Sequence, residues 1–242
     1  MKSFILIIFL SLFFISCKRE KENLLEAEFT SSNLGDYRKW ILIKSDSTFE
    51  LKVYDKVFDD PIKKDSLSGK VKIKNDTIYF DSKNHFFWAE KAILKDGFIE
   101  FFQDEQVNKL EIIKSKLNQS QTIDYSQFPN YAVFPYIDNH IELRYYELTT
   151  KDLLQIDKLI RNEINTNAKL RDYSDYIFQV SSFLNSKNEI LVDVDLFCND
   201  IFNENFFKFS PIRMKDGGNC NVWIELNLSK NEILNTHIAG SL

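Results

Sequence analysis

The sequence predicts a mostly β chain of the α+β class: an N-terminal antiparallel meander or barrel, then one helix packed on a curved antiparallel sheet. Three observations carry that expectation. The 242 residues include 22 Phe and 10 Tyr against only 6 Gly and 4 Pro, a balance that favours strands over loops and glycine-rich phosphate cradles. Short segments of alternating apolar and polar residues recur through the first half, separated by polar turns. One stretch alone, with Leu153, Ile156, Ile160 and Ile164 at helical spacing, calls for an amphipathic helix. Hydrophobic residues at 44% and charged residues at 28% are globular proportions, so neither wholesale disorder nor a second membrane segment is expected. The formal charge of −5 is spread without a basic block, which argues against nucleic acid as a partner.

At the N-terminus Lys2 precedes the apolar run Phe4 to Ser16. A helix of that length reaches about 20 Å, short of the ~30 Å hydrocarbon core, so residues 1–16 are read as a signal peptide. Phe14, Ile15 and Ser16 stand immediately before Cys17, an arrangement that resembles the bacterial lipobox. The resemblance implies that Cys17 becomes the lipidated mature N-terminus, with enough acyl chains for stable anchoring. Position 18 is Lys and not the Asp that resembles an inner-membrane retention signal, which points to the outer membrane. The expected location is the cell envelope, lipid-anchored and periplasmic or surface-exposed. Residues 17–34 are read as a polar tether.

Residues 35–115 form the first predicted domain. In "TFELKVY" Phe49, Leu51 and Val53 share one face while Glu50 and Lys52 take the other, and "GKVKIKNDTIYF" repeats the pattern around a turn at "KNDT". Further strands are expected at "RKWILIK", "WAEKAILK", "GFIEFFQ" and "NKLEIIKS", about seven in all, as an up-and-down meander curling into a barrel or half-barrel. The opening Trp strand, polar turn and Ser-Gly strand across residues 37–113 resemble the first hairpins of lipocalin-like domains in bacterial lipoproteins. That family implies no fixed ligand.

Residues 116–130 lose periodicity and gather Ser, Gln and Asn, as a linker would. Residues 131–242 form the second predicted domain. A strand is expected at "HIELRYYEL", then a helix that Thr149 or Thr150 caps. Strands follow at "YSDYIFQVSSFLN", "EILVDVDLF", "NFFKFSPIRM" and "CNVWIELNLS", the last two joined by a hairpin at "KDGG". The order of elements from residue 140 on resembles cystatin-like domains of uncharacterised bacterial envelope proteins, which implies a fold and no established activity.

Signals for chemistry are sparse. His85, His140 and His237 have no ligand-spaced partner, and neither a nucleophile elbow nor a phosphate-binding loop is present. Asp193 and Asp195 begin like a calcium loop, but position 197 is Phe, so neither a metal nor another cofactor is expected. Export favours a Cys198–Cys220 disulfide. In a four-strand meander, however, the two thiols lie at opposite ends of the sheet, ~20–30 Å apart. Free thiols are therefore predicted unless "NFFKFSPIRM" is not a strand.

The doublets Phe86-Phe87, Phe101-Phe102 and Phe206-Phe207, if they are strand, each turn one ring away from the core. That ring needs a cover: the other domain, the lipid surface, a ligand inside the barrel, or a partner. Alternation also turns Asp193, Asp195, Trp223 and Glu225 onto the helix-free face of the second sheet, where acids beside a large aromatic mark a candidate binding face for a basic envelope protein segment or a glycan. The expected function is a non-catalytic binding or structural module. The alternatives are a small-barrel carrier of an apolar ligand and a hydrolase using Asp193 and Asp195.

Overall fold

In the computed structural model, described over residues 21–31, 36–56, 62–81, 90–103, 106–136, 143–201 and 206–240, the alternating segments of the first half pair in sequence order. They are β1 (Asn23–Ser31), β2 (Asp36–Lys44), β3 (Thr48–Lys56), β4 (Lys63–Lys74), β5 (Thr77–Asp81), β6 (Lys91–Lys95), β7 (Phe98–Gln103) and β8 (Gln106–Ser115). Together they form a closed antiparallel barrel of eight strands. Cys17, His85, the Phe86-Phe87 doublet and His140 lie outside the described residues.

The barrel corrects the expected tether, because residues 23–31 are a strand. Leu25, Ala27 and Phe29 are buried under outward Glu26, Glu28 and Thr30, the same alternation as in β3. The segment pairs with β2 from Ser31↔Tyr37 to Leu25↔Ile43 and with β8 through Ala27↔Ile112. Without it β2 and β8 would present open edges, and closure removes both. Gly69 has a steric reason to lack a side chain. It stands opposite Phe49 in the β3–β4 ladder, and an added Cβ would come within 2.8 Å of the Phe49 ring.

The second half forms a sheet from β9 (Tyr131–Val133), β10 (Arg144–Tyr145), β11 (Tyr176–Leu184), β12 (Ile190–Cys198), β13 (Asn221–Asn227) and β14 (Glu232–Ile238). β9 and β10 both pair with β11, and β11 to β14 follow as antiparallel neighbours. Helix α1 (Thr150–Thr166) buries Leu153, Ile156, Ile160 and Ile164, as its spacing predicts, and Thr149 forms a capping box with Asp152. These side chains join Val192, Val194, Leu196, Val222, Ile224 and Leu226 in one core. Asp157 keys the helix to the sheet, accepting hydrogen bonds from the hydroxyls of Tyr131 at 3.0 Å and Tyr173 at 2.5 Å.

Several expectations for this half are corrected. "HIELRYYEL" contributes only the two-residue β10 among the described residues. "NFFKFSPIRM" is not a strand, since it contains a 3-10 turn at Phe206–Lys208 followed by irregular chain. "KDGG" is not a hairpin: Gly217 and Gly218 do take positive φ, but they lead into a 3-10 turn at Gly218–Cys220. The missing neighbour of β13 is β14, and β12 pairs directly with β13. That direct pairing puts the end of β12 beside the start of β13, so the prediction of free thiols fails. Cys198 and Cys220 form a disulfide with Cα atoms 4.7 Å apart.

The irregular segment after β12 instead plugs the barrel. Phe209 belongs to the barrel core, its ring 4.7 Å from that of Phe29, and its carbonyl accepts from the Lys109 amide. The Gln179 side chain of β11 ties the segment down, donating to the carbonyls of Phe207 and Ser210 and accepting from the Ile212 amide. Phe102 and Phe207 pack with Val107, Ala132, Phe134, Ile177 and Phe197. Of the covers left open for the outward rings, the opposing half of the chain is the one found for Phe102 and Phe207.

Residues 116–130 are not a loose linker either. The Asp96 carboxylate accepts from the Thr122 amide at 2.6 Å, the Thr122 hydroxyl at 2.9 Å and the Ile123 amide at 3.0 Å. Ile123 and Phe128 are buried in the core under α1. A polar composition was legible; its use as packed, hydrogen-bonded connection was not.

Candidate functional site

Strands β11 to β14 bury one face against α1 and leave the other for whatever the chain itself does not cover. Near the barrel that outer face is filled: Ile177 and Phe197 sit under Phe207 and Val107. Farther along the strands the register builds two polar rows. One runs Ser181, Asp193, Glu225, Asn235; the next runs Gln179, Asp195, Trp223, His237. The four residues picked from the sequence, Asp193, Asp195, Trp223 and Glu225, are thus brought together on two neighbouring strands. Directly opposed cross-strand pairs are the closest contacts a sheet face offers.

The electrostatics of this patch follow from its geometry. Asp195 is pushed up to about 6 by burial. Asp193 is likewise raised to about 6, first by burial and then by the charges of Glu225 and Asp195, partly offset by a hydrogen bond from the Trp223 side chain. Among the described residues no basic side chain forms an ion pair with Asp193, Asp195 or Glu225. The indole of Trp223 is 37% exposed beside them. A cleft of about 180 Å3 adjoins the row at Asp195, lined also by Phe134, Tyr136, Gln179, Ser181 and Arg213.

Sequence reading missed His237, Ser181, Gln179 and Arg213. The first depended on recognising "EILNTHI" as a strand, whose weak alternation is interrupted by a bulge opposite Glu225 and Leu226. Arg213 arrives from the irregular plug segment, which has no period to read.

Both aspartates are raised to about 6 by burial, Asp193 also by the charges of Glu225 and Asp195. Among the described residues the one grouping of Cys, His, Asp and Glu at ligand distance is Cys198, Asp200 and Cys220, and its two sulfurs are bonded to each other. The barrel interior is occupied by its own side chains, Ile41, Ile43, Ile78, Ala92, Leu94 and Ile99 among them. A cleft of about 200 Å3 remains at the plugged mouth, between Tyr37, Phe101, Leu110 and Phe206. An eight-stranded barrel of this kind fits a binding or carrier module. No protein-family model matches the chain, and no curated protein or solved structure matches it.

Proposed function

We propose that the protein is a non-catalytic binding module of the bacterial cell envelope, anchored through acyl chains on Cys17, that receives a cationic segment of an envelope partner on the open face of its second sheet. The observation that carries this reading is the cluster of Asp193, Asp195 and Glu225, which makes no ion pair among the described residues and is flanked by the exposed Trp223. A cationic side chain laid across these acids would meet their negative charge, and the indole face would hold its apolar stem or cation. One further feature favours binding at the open face over carriage inside the barrel. Among the described residues the barrel interior is packed with its own side chains, Ile43, Ile78, Leu94 and Ile99 among them, where a carrier would need space of ~300–1,000 Å3.

Titration of the detergent-solubilised full chain with an oligolysine peptide tests the face. Binding should weaken on Asp193→Asn plus Asp195→Asn, on Trp223→Ala, and with rising salt. Equal affinity for wild type and the aspartate variant would sink the assignment. The anchor is tested separately with a palmitate analogue in cells, where Cys17→Ser should lose all label while the body stays folded. Label retained on the serine variant would remove the lipid from the proposal.

A further inference from the structure

The cleft of about 180 Å3 beside Asp195 combines two features that the acidic rows lack. Of the residues that line it two are charged, Asp195 and Arg213, and they carry opposite signs. They do not pair with each other. Among the described residues neither makes a hydrogen bond or an ion pair, although the Asp195 carboxylate is half-buried. The rest of the lining is largely apolar, with Val107, Phe134, Pro135 and Pro211, and Ser181 adds a hydroxyl that likewise makes no hydrogen bond among the described residues.

The fold holds the two charges in place around the cleft. Asp195 stands on β12 directly opposite Gln179 of β11. Gln179 Oε1 accepts from the Ile212 amide at 2.7 Å, and Asn221 Nδ2 donates to the Met214 carbonyl at 2.8 Å. The backbone is thus pinned on both sides of Arg213, and Gln179 ties the wall that carries the guanidinium to the strands that carry the carboxylate.

We infer that this cleft binds a free α-amino acid with an apolar side chain, its ammonium on Asp195 and its carboxylate on Arg213. A half-buried carboxylate without a donor is costly, and a cation that reaches it relieves the cost. A plain cation, however, would leave Arg213 without a counter-charge, and a plain anion would leave Asp195 so. A zwitterion answers both at once, and the planar guanidinium fork suits a carboxylate in particular. The side chain then lies against Val107, Phe134 and the two prolines. A volume of about 180 Å3 is the room of about six waters at ~30 Å3 each, which suits one amino acid and not a peptide. This goes beyond the cationic partner of the open face: the two sites share Asp195, whereas Asp193, Glu225 and Trp223 do not line the cleft.

Isothermal titration of the detergent-solubilised full chain at pH 7.5, where Asp195 is ionised, tests the inference with L-leucine. Leucinamide, which lacks the carboxylate, and isocaproate, which lacks the ammonium, are the single-charge controls, and glycine lacks the side chain. L-leucine should bind at least about tenfold more tightly than any of the three. Arg213→Gln, at an exposed position outside the cores, should weaken L-leucine by a similar factor, and Arg213→Lys should retain part of the affinity. Asp195→Asn should weaken it as well. The inference is overturned if L-leucine gives no binding heat, if leucinamide, isocaproate or glycine binds as tightly, or if Arg213→Gln has no effect. Absence of L-leucine binding with oligolysine binding intact overturns this inference alone and leaves the open-face reading standing.

Discussion

Glu100 and Lys109 are directly opposed across β7 and β8, ammonium to carboxylate at 2.5 Å, with side chains only 8% and 3% exposed. Lys109 also donates to the Val133 carbonyl at 2.6 Å, from which it reaches out of the barrel to the second sheet. Its ammonium lies 4.8 Å from the centre of the Phe134 ring. Glu100→Gln and Lys109→Met should each destabilise by about 3–5 kcal/mol, because each leaves the other charge buried and unpaired. Replacing both with apolar residues should recover much of that loss, leaving the unsatisfied Val133 carbonyl as the remaining cost. Urea denaturation of the two single variants and the double variant measures the coupling.

The Cys198–Cys220 bond closes a loop with a sequence separation of 22. Opening it should lower stability by about 3 kcal/mol through the entropy returned to the unfolded chain. Mass spectrometry of the unreduced digest should find the linked peptide, and the denaturation midpoint of Cys198→Ser plus Cys220→Ser should fall accordingly.

Asp96 holds Thr122 and Ile123 with a single carboxylate. Its backbone has a φ of 51°, a conformation Asn tolerates well, so Asp96→Asn tests the carboxylate without straining the turn. Wild type should resist limited proteolysis throughout residues 116–130. The variant should lose about 1–3 kcal/mol and acquire a cut there, and sequencing of the new fragment ends locates it.

Asp195 supplies a pH dependence. Its folded-state value of about 6 lies above the ordinary carboxylate range, with burial as the cause. The folded state therefore holds its proton more tightly than the unfolded state does. The resulting penalty is absent below about pH 4, grows as pH rises, and is complete above about pH 6. Asp195→Asn removes the ionisation and should gain about 1–2 kcal/mol at pH 7.5 but nothing at pH 4. Thermal melts of both proteins at the two pH values check the crossover. Ionisation of Asp193 over the same range should strengthen oligolysine binding to wild type between pH 5 and pH 7.

The elements readable in the sequence were those whose burial is one-sided and uninterrupted. Leu153, Ile156, Ile160 and Ile164 declared α1, and Phe49, Leu51 and Val53 declared β3. The alternation of β12 and β13 likewise carried Asp193, Asp195, Trp223 and Glu225 correctly to one face. What escaped was decided by distant partners. β1 carries the same alternation as its neighbours, but its role is fixed by β8, far off in the sequence. The segment "NFFKFSPIRM" is apolar enough for a strand, yet Phe209 finds the barrel mouth and Phe207 the gap between the halves. Tertiary contacts override local pattern where an apolar ring has two places to go. The disulfide followed from the same misreading, since removing one strand turned two distant cysteines into neighbours.

If Cys17 is lipidated as proposed, early entry of the chain into the barrel sets how long the leash can be. Lys21 pairs with Asp46 and Glu22 with Lys116 before β1 begins at Asn23. With an anchor at Cys17, only the few residues before Lys21 separate the acyl chains from a rigid body, a reach of about 14 Å at ~3.5 Å per residue. A barrel so moored would ride against the lipid headgroups and could not sweep far from the membrane. Any partner would then have to come to the membrane plane, where confinement to two dimensions would raise its local concentration and make weak, exposed contacts sufficient.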